Sequence, residues 1–294
     1  MQVDLEQLRA LSAAVSAGTL EAAARELHVT PSAISQRLRA LETATGRVLL
    51  VRSKPVRATH SGEAVLRLAR QVELLVADCA QELGADAAAP ALTVAVNADS
   101  LATWVLPALA PLGDALALQL RREDESNTTS LLREGAVVAA VTTDPVAVAG
   151  CSVTALGAMR YRPMAAPAFA ARWFPGGATP DALAEAPMVV FDRDDPHQHA
   201  YLARTAPAAA PPMHMVPSSA DFVAAIGLGM GWGMVPDLQA QAPGAPALAG
   251  IDPGGTADVA LYWQQWRLRS ASLDRLAEAI VAGARARLIA TARP

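Results

Sequence analysis

The sequence predicts an α/β protein with an all-α winged helix-turn-helix at its N-terminus. Three observations carry this. A capped pair of short helices spans Leu20 to Leu41, a long heptad-patterned helix starts at Ser61, and apolar runs alternate with helical patterns from Leu92 onward. Charge is divided in the same way. Residues 1–70 hold ten basic and six acidic side chains; residues 71–294 hold fourteen basic and twenty-two acidic. Basic surface at one end of a mildly acidic chain points to phosphate binding there.

In the helix pair, Leu20, Ala23, Ala24 and Leu27 form one buried stripe at helical spacing, behind a Thr19 cap. His28-Val29 makes the turn, and Val29 plugs the angle between the helices. Thr30-Pro31 opens the second helix with a hydroxyl cap and a proline at the first helical position. Ile34, Leu38 and Leu41 then face inward, while Ser32, Ser35, Gln36 and Arg39 face outward. Glutamine suits adenine edges, arginine suits guanine edges or phosphate, and serine suits either. Gly46 ends this helix, and Val48–Val51 reads as a short strand. Arg52-Ser53-Lys54-Pro55-Val56-Arg57 follows as a basic wing. From Ile34 to Arg57 there are six basic residues, Arg37, Arg39, Arg47, Arg52, Lys54 and Arg57, against the single acid Glu42. The expected DNA contacts are Ser32, Ser35, Gln36, Arg37, Arg39, Arg52, Lys54 and Arg57.

In the long helix from Ser61, Val65, Leu68, Val72, Leu75 and Cys79 recur at alternating spacings of three and four. That is a two-stranded coiled-coil seam, which predicts a homodimer pairing two reading helices with two DNA half-sites. Gly84 and Ala85–Pro90 form a hinge. The expected units are residues 1–60 for DNA binding, 61–90 for the linker helix and hinge, and 91–294 for effector binding.

In that last unit strands are expected at Leu92–Val96, Ala115–Leu120, Val137–Val141, Met188–Phe191, Met213–Val216, Trp232–Val235 and Val259–Trp263. Helices are expected at Ser100–Leu112, Thr128–Glu134, Asp221–Leu228 and Leu273–Ala290. Such alternation predicts mostly parallel sheets, with ligands at the carboxyl ends of strands. Candidate contacts sit there: Asn97, Asp99 and Ser100 after the first strand, Glu123, Asp124 and Glu125 after the second, Thr142 and Asp144 after the third, and Ser218 and Ser219 after a later one. Two hydroxyl-bearing helix starts suit a carboxylate, and the acidic residues suit an ammonium or guanidinium group. A zwitterion with an extra positive charge fits both. An organic acid would call instead on Arg121 and Arg122.

Other chemistry is sparse. Asp192, Asp194, Asp195, His197 and His199 cluster, but histidines two apart do not share a helix face, and no metal site is expected. No nucleophile–base set, phosphate loop or zinc-protease motif is present, so neither an enzyme nor a cofactor is expected. Cys79 and Cys151 are too few for a disulfide framework. The polar, acidic N-terminus is no signal peptide, and no apolar run reaches membrane-spanning length, so a cytoplasmic address is expected.

Ala33-Ile34-Ser35-Gln36-Arg37, Leu41-Glu42, Gly46, Arg52 and Thr59–Glu63 resemble the recognition helix, wing and linker start of the LysR-type transcriptional regulators. Pro31 departs from the glutamine that many members carry. The string Ala95–Trp104, together with Leu106–Pro111, Arg70–Leu75, Glu123–Glu125 and Leu261–Trp263, resembles the ArgP/LysG subgroup; Pro217 departs from an asparagine there. The resemblance implies a two-lobed, periplasmic-binding-protein-like effector domain, lobe one about 91–162 plus 266–294 and lobe two about 163–265. It further implies double-stranded DNA and RNA polymerase as partners, a homodimer or homotetramer, lysine or arginine as effector, and activation of a basic-amino-acid exporter gene. Some subgroup members have been described as inhibitors of replication initiation.

Overall fold

In the computed structural model, which describes residues 3–84, 91–123, 128–193 and 195–290, helix α1 (Leu5–Ala17) starts on an Asp4 cap and ends at Gly18. Helix α2 (Leu20–Glu26) starts on Thr19 and α3 (Pro31–Thr45) on Thr30, each hydroxyl accepting the amide three residues on, as expected. Leu11, Ala23, Ala24, Ile34, Leu38 and Leu41 bury against one another, with Val29 at the edge of this core. Strands β1 (Leu50–Val51) and β2 (Arg57–Ala58) pair antiparallel to form the wing. The expected strand from Val48 shrinks to its last two residues, and the Val48 carbonyl instead accepts the Thr59 hydroxyl at 2.8 Å.

Helix α4 (His60–Glu82) begins on the Thr59 cap. Gly62 lets it lie against the wing, since a Cβ there would collide with the Leu49 carbonyl. Leu66 and Ala69 bury into the N-terminal core, and Leu74 buries into the C-terminal one. The expected seam is only partly open. Leu68, Leu75 and Cys79 are exposed, whereas Val65 and Val72 lean on the N-terminal core.

The C-terminal part continues with β3 (Ala91–Val96), α5 (Ala98–Ser100), a π-helical turn Leu101–Val105, α6 (Leu106–Leu109), β4 (Ala117–Arg122), α7 (Thr128–Arg133) and β5 (Ala139–Thr142). Next come β6 (Cys151–Ala165), α8 (Pro167–Trp173), α9 (Pro180–Glu185), β7 (Met188–Val190), α10 (Pro196–Thr205), β8 (Met213–Met215), α11 (Ser219–Gly227) and β9 (Gly233–Pro236). The last elements are α12 (Asp237–Ala240), β10 (Ala249–Gly250), β11 (Ala257–Trp266) and α13 (Ala271–Arg287).

Strands β3, β4 and β5 are parallel, as are β7 and β8. The mostly parallel expectation fails at β6 and β11, which pair antiparallel with each other along most of their length. Together they join both halves into one seven-stranded sheet of order β10-β6-β11-β5-β3-β4, with β9 also on β6. The early part of β6 pairs with the end of β11, while its last residues pair with β9 and β10. Trp104, Trp263 and Trp266 fill the core as packing residues. Among the described residues no helix is long and apolar enough to cross a membrane.

Asp78 ties α4 to this core. Its two carboxylate oxygens accept the Ser270 and Ser272 hydroxyls at the start of α13, and all three residues are buried. Buried hydroxyls stripped of their acceptor retain their full desolvation penalty. Asp78→Ala should therefore cost about 2–4 kcal/mol by thermal or urea unfolding; a loss within experimental error would show that α4 is held by other contacts.

Candidate nucleic-acid interface and ligand cleft

On α3, Ser32, Gln36 and Arg39 are exposed on one side, and Ser35 is half-buried beside them. The Ser32 hydroxyl lies 2.9 Å from that of Thr30. Arg37, also expected at the DNA, is half-buried: its guanidinium turns back to Glu6 on α1, Nη2 to Oε2 3.0 Å, and braces the two helices. In the wing Arg52, Lys54 and Arg57 are all exposed. The Val56 amide donates to the Gly18 carbonyl at 2.8 Å, fixing the wing beside the start of α2. A polar helix face and three exposed cations thus flank one another.

A cavity of about 400 Å³ opens between the two halves of the C-terminal part. Its wall includes Asn97, Asp99 and Glu123 from the β3–β4 side, Tyr161 from β6, and Phe191, Asp192, Asp195, His197, Gln198, Ser219, Phe222 and Met234 from the other side. Asp99 is its hub. One carboxylate oxygen accepts the Tyr161 hydroxyl at 2.8 Å, and the other accepts the Ser219 hydroxyl at 2.6 Å. Gln239 on α12 donates to the same Ser219 oxygen at 2.6 Å. The rings of Tyr161 and His197 stack at 4.4 Å. The Asn97 Oδ1 and Gln198 Oε1 atoms are buried without a partner among the described residues. The wall carries four carboxylates and, among the described residues, no arginine or lysine.

Residues 5–63 match the family model described as bacterial regulatory helix-turn-helix protein, lysR family, and residues 85–285 match the LysR substrate binding domain. The chain belongs to the LysR family. It is thus a DNA-binding transcriptional regulator rather than an enzyme. This LysR-family chain is 44% identical to the HTH-type transcriptional regulator LysG of Mycobacterium tuberculosis over 287 residues, 96% of this chain and 94% of that one. It is 39% identical to the HTH-type transcriptional regulator ArgP of Aeromonas salmonicida over 290 residues, 96% and 97% of the two chains. The crystal structure of ArgP from Mycobacterium tuberculosis superposes with a TM-score of 0.87 at 42% identity, covering 99% of this chain and 100% of that one. Full-length LysG from Corynebacterium glutamicum with bound effector Arg gives a TM-score of 0.78 at 38% identity, with 98% and 100% covered.

Within this LysR-family cleft the expected ligand residues separate. Asn97, Asp99, Glu123 and Ser219 line the cavity; Asp124 and Glu125 lie outside the described residues. Ser100 is not among the wall residues, and its fully buried hydroxyl has no partner among the described residues. Thr142 and Asp144 serve a turn instead. The Thr142 hydroxyl accepts the Asp144 amide, and the Asp144 side chain accepts the Val146 amide. Ser218 precedes α11 without a side-chain cap bond and lies off the wall, where Ser219 takes its place. Tyr161, His197 and Gln198 were not anticipated. The Asp192–His199 cluster did mark the place, but Asp195 caps α10 through the His197 amide and His197 stacks on Tyr161. Asp194 lies outside the described residues, and among these no group of His, Cys, Asp and Glu is arranged to hold a metal ion.

Exposed cations suit phosphate, and a polar helix face suits base edges. Arg52→Ala should weaken binding to all duplexes alike and lower the slope of log K against log salt by about one. Gln36→Ala should relax base preference with little change in that slope. Fluorescence anisotropy over a salt series checks both; a reversed pattern would misplace the interface.

Proposed function

We propose that this regulator senses lysine or arginine in the cleft, and in response activates a basic-amino-acid exporter gene from the cytoplasm. The observation that carries this reading is the sign of the cleft: Asp99, Glu123, Asp192 and Asp195 line it with no arginine or lysine among the described wall residues. An anionic effector would meet like charge there. Arg121 and Arg122, the pair an organic acid would need, are not on the wall.

Asp99 is prepared for a cation. A carboxylate offers about four lone-pair sites, and Tyr161 and Ser219 occupy one on each oxygen. An ammonium or guanidinium group adds to these bonds without displacing them. The helix starts at Asn97 and Ser218 carry no side-chain cap bond, so their backbone amides suit the effector's carboxylate. The relative crystallised with bound effector Arg supports the ligand class, and the relative called lysine export transcriptional regulatory protein LysG, of Corynebacterium efficiens, supports the target; it is 42% identical over 282 residues.

DNA is read through Ser32, Ser35, Gln36 and Arg39 of α3 and through Arg52, Lys54 and Arg57 of the wing, all at or near the surface. The working form is a homodimer or homotetramer that contacts RNA polymerase. Its seam runs along α4, where Leu68, Leu75 and Cys79 stand exposed with Val65 and Val72 beside them. The units follow as residues 1–60, 61–90 and 91–294, the last divided where β6 and β11 pass between its halves.

A ligand that binds only the folded state stabilises it by about 2.7 kcal/mol at a hundredfold excess over Kd. Arginine and lysine at millimolar concentration should therefore raise the melting temperature, and leucine should not. An equal response to all three would sink the assignment.

A further inference from the structure

Arg70 sits on α4 where the DNA-binding domain meets the effector domain. One guanidinium nitrogen, Nη2, donates to the Ser16 hydroxyl on α1 at 3.0 Å. The other, Nη1, donates to the backbone carbonyl of Gly135, just past the end of α7. One turn along α4, Glu73 accepts the Ser12 hydroxyl of α1 at 3.1 Å; burial lowers the Arg70 pKa, and the nearby Glu73 carboxylate opposes that shift. Gly135 has φ +74, and a Cβ there would lie 3.1 Å from the Cα and Cβ of Arg67. The effector-domain turn therefore rests directly on the backbone of α4, and no other residue fits without moving it. Beside this contact the two domains part around a cavity of about 740 Å³ lined from both sides, by Ser16 and Arg57 on one and Arg121 and Glu134 on the other. Arg70 therefore hydrogen-bonds both domains beside a loosely filled junction.

Gly135 also belongs to the cleft's own framework. Strand β3 leads to Asn97 and Asp99 on the cavity wall, and α7, buried through Thr128 and Leu132, packs against β3 and β5 and ends beside Gly135. A cation drawing on Asp99 acts at one end of this unit, and Arg70 holds the other. We propose that Arg70 is the positioning residue that transmits effector binding to the DNA-binding domain, by gripping the Gly135 carbonyl and the Ser16 hydroxyl at once. The inference rests on the reading that a cationic amino acid fills the cleft. The grip needs two donors in a fixed fork, which guanidinium has and an ammonium point charge lacks. Coupling of this kind requires unequal affinity of the effector for the gripped and released arrangements.

The test uses full-length protein, arginine as ligand, and the DNA fragment upstream of the chain's own gene. Arginine affinity is measured by calorimetry; DNA affinity and footprint are measured with and without arginine. Arg70→Ala should bind arginine within about twofold of wild type, while an arginine effect on DNA of about fivefold or more falls to near one. Arg70→Lys should restore little of it. Ser16→Ala, which removes one prong far from the cleft, should reduce the effect and serves if Arg70→Ala fails to fold. An undiminished arginine effect in either Arg70→Ala or Ser16→Ala overturns the proposal. So does a wild type that binds arginine yet changes neither DNA affinity nor footprint. A wild type that binds no arginine overturns the effector reading itself and leaves the coupling without a ligand.

Discussion

A carboxylate inside a partly apolar cleft has to be hydrogen-bonded, and Asp99 meets that requirement by drawing on both halves of the effector domain. Tyr161 reaches it from the crossing strand β6, and Ser219 reaches it from the first turn of α11. Gln239 then fixes Ser219. The cleft thus holds a charge whose hydrogen-bonding capacity is only half used. Strand β3 must end, β6 must cross and α11 must begin where they do for these four side chains to meet. The cleft geometry and the meeting of its two halves both rest on satisfying this one half-buried anion.

The same chain keeps its two charge signs apart. Acidic groups collect in the cleft, while Arg39, Arg52, Lys54 and Arg57 stand exposed on α3 and the wing. Were they mixed, the wing would lose attraction for phosphate, and the cleft would lose its preference for cations. Helix α4 joins the two regions without merging their cores. Leu66 and Ala69 belong to one core, Leu74 to the other, and Asp78 is clasped by Ser270 and Ser272. A rigid helix with a polar hold at each domain is a direct mechanical route between ligand and DNA.

Local signals were legible in the sequence. Thr19, Thr30-Pro31 and Gly46 mark helix ends by backbone chemistry that needs no tertiary context, and all three act as caps. Asn97, Asp99, Glu123 and Ser219 were legible because strand ends in α/β sheets collect ligand contacts. What depends on distant partners was not. Three exposed residues followed by four buried ones fill much of the first half of β6, and Pro163 interrupts the alternation that runs from Met159 to Ala165, so the 15 residues do not read as one strand and Tyr161 went unseen with it. Arg37 looks like Arg39 in the sequence, and only the packing of α1 brings Glu6 to it. Ser100 is fully buried, which its place at a strand end does not announce. The cluster from Asp192 to His199 drew notice for its metal-ligand residue types, yet its part in the cleft is a helix cap and an aromatic stack.

The claim that Asp99 receives the effector's positive charge is tested most directly by arginine calorimetry on Asp99→Asn. Asparagine keeps an acceptor for Tyr161 or Ser219, so the unliganded variant should stay folded. Losing one charge-assisted hydrogen bond should weaken arginine by about 10- to 100-fold. A folded variant that binds arginine as tightly as wild type would contradict it.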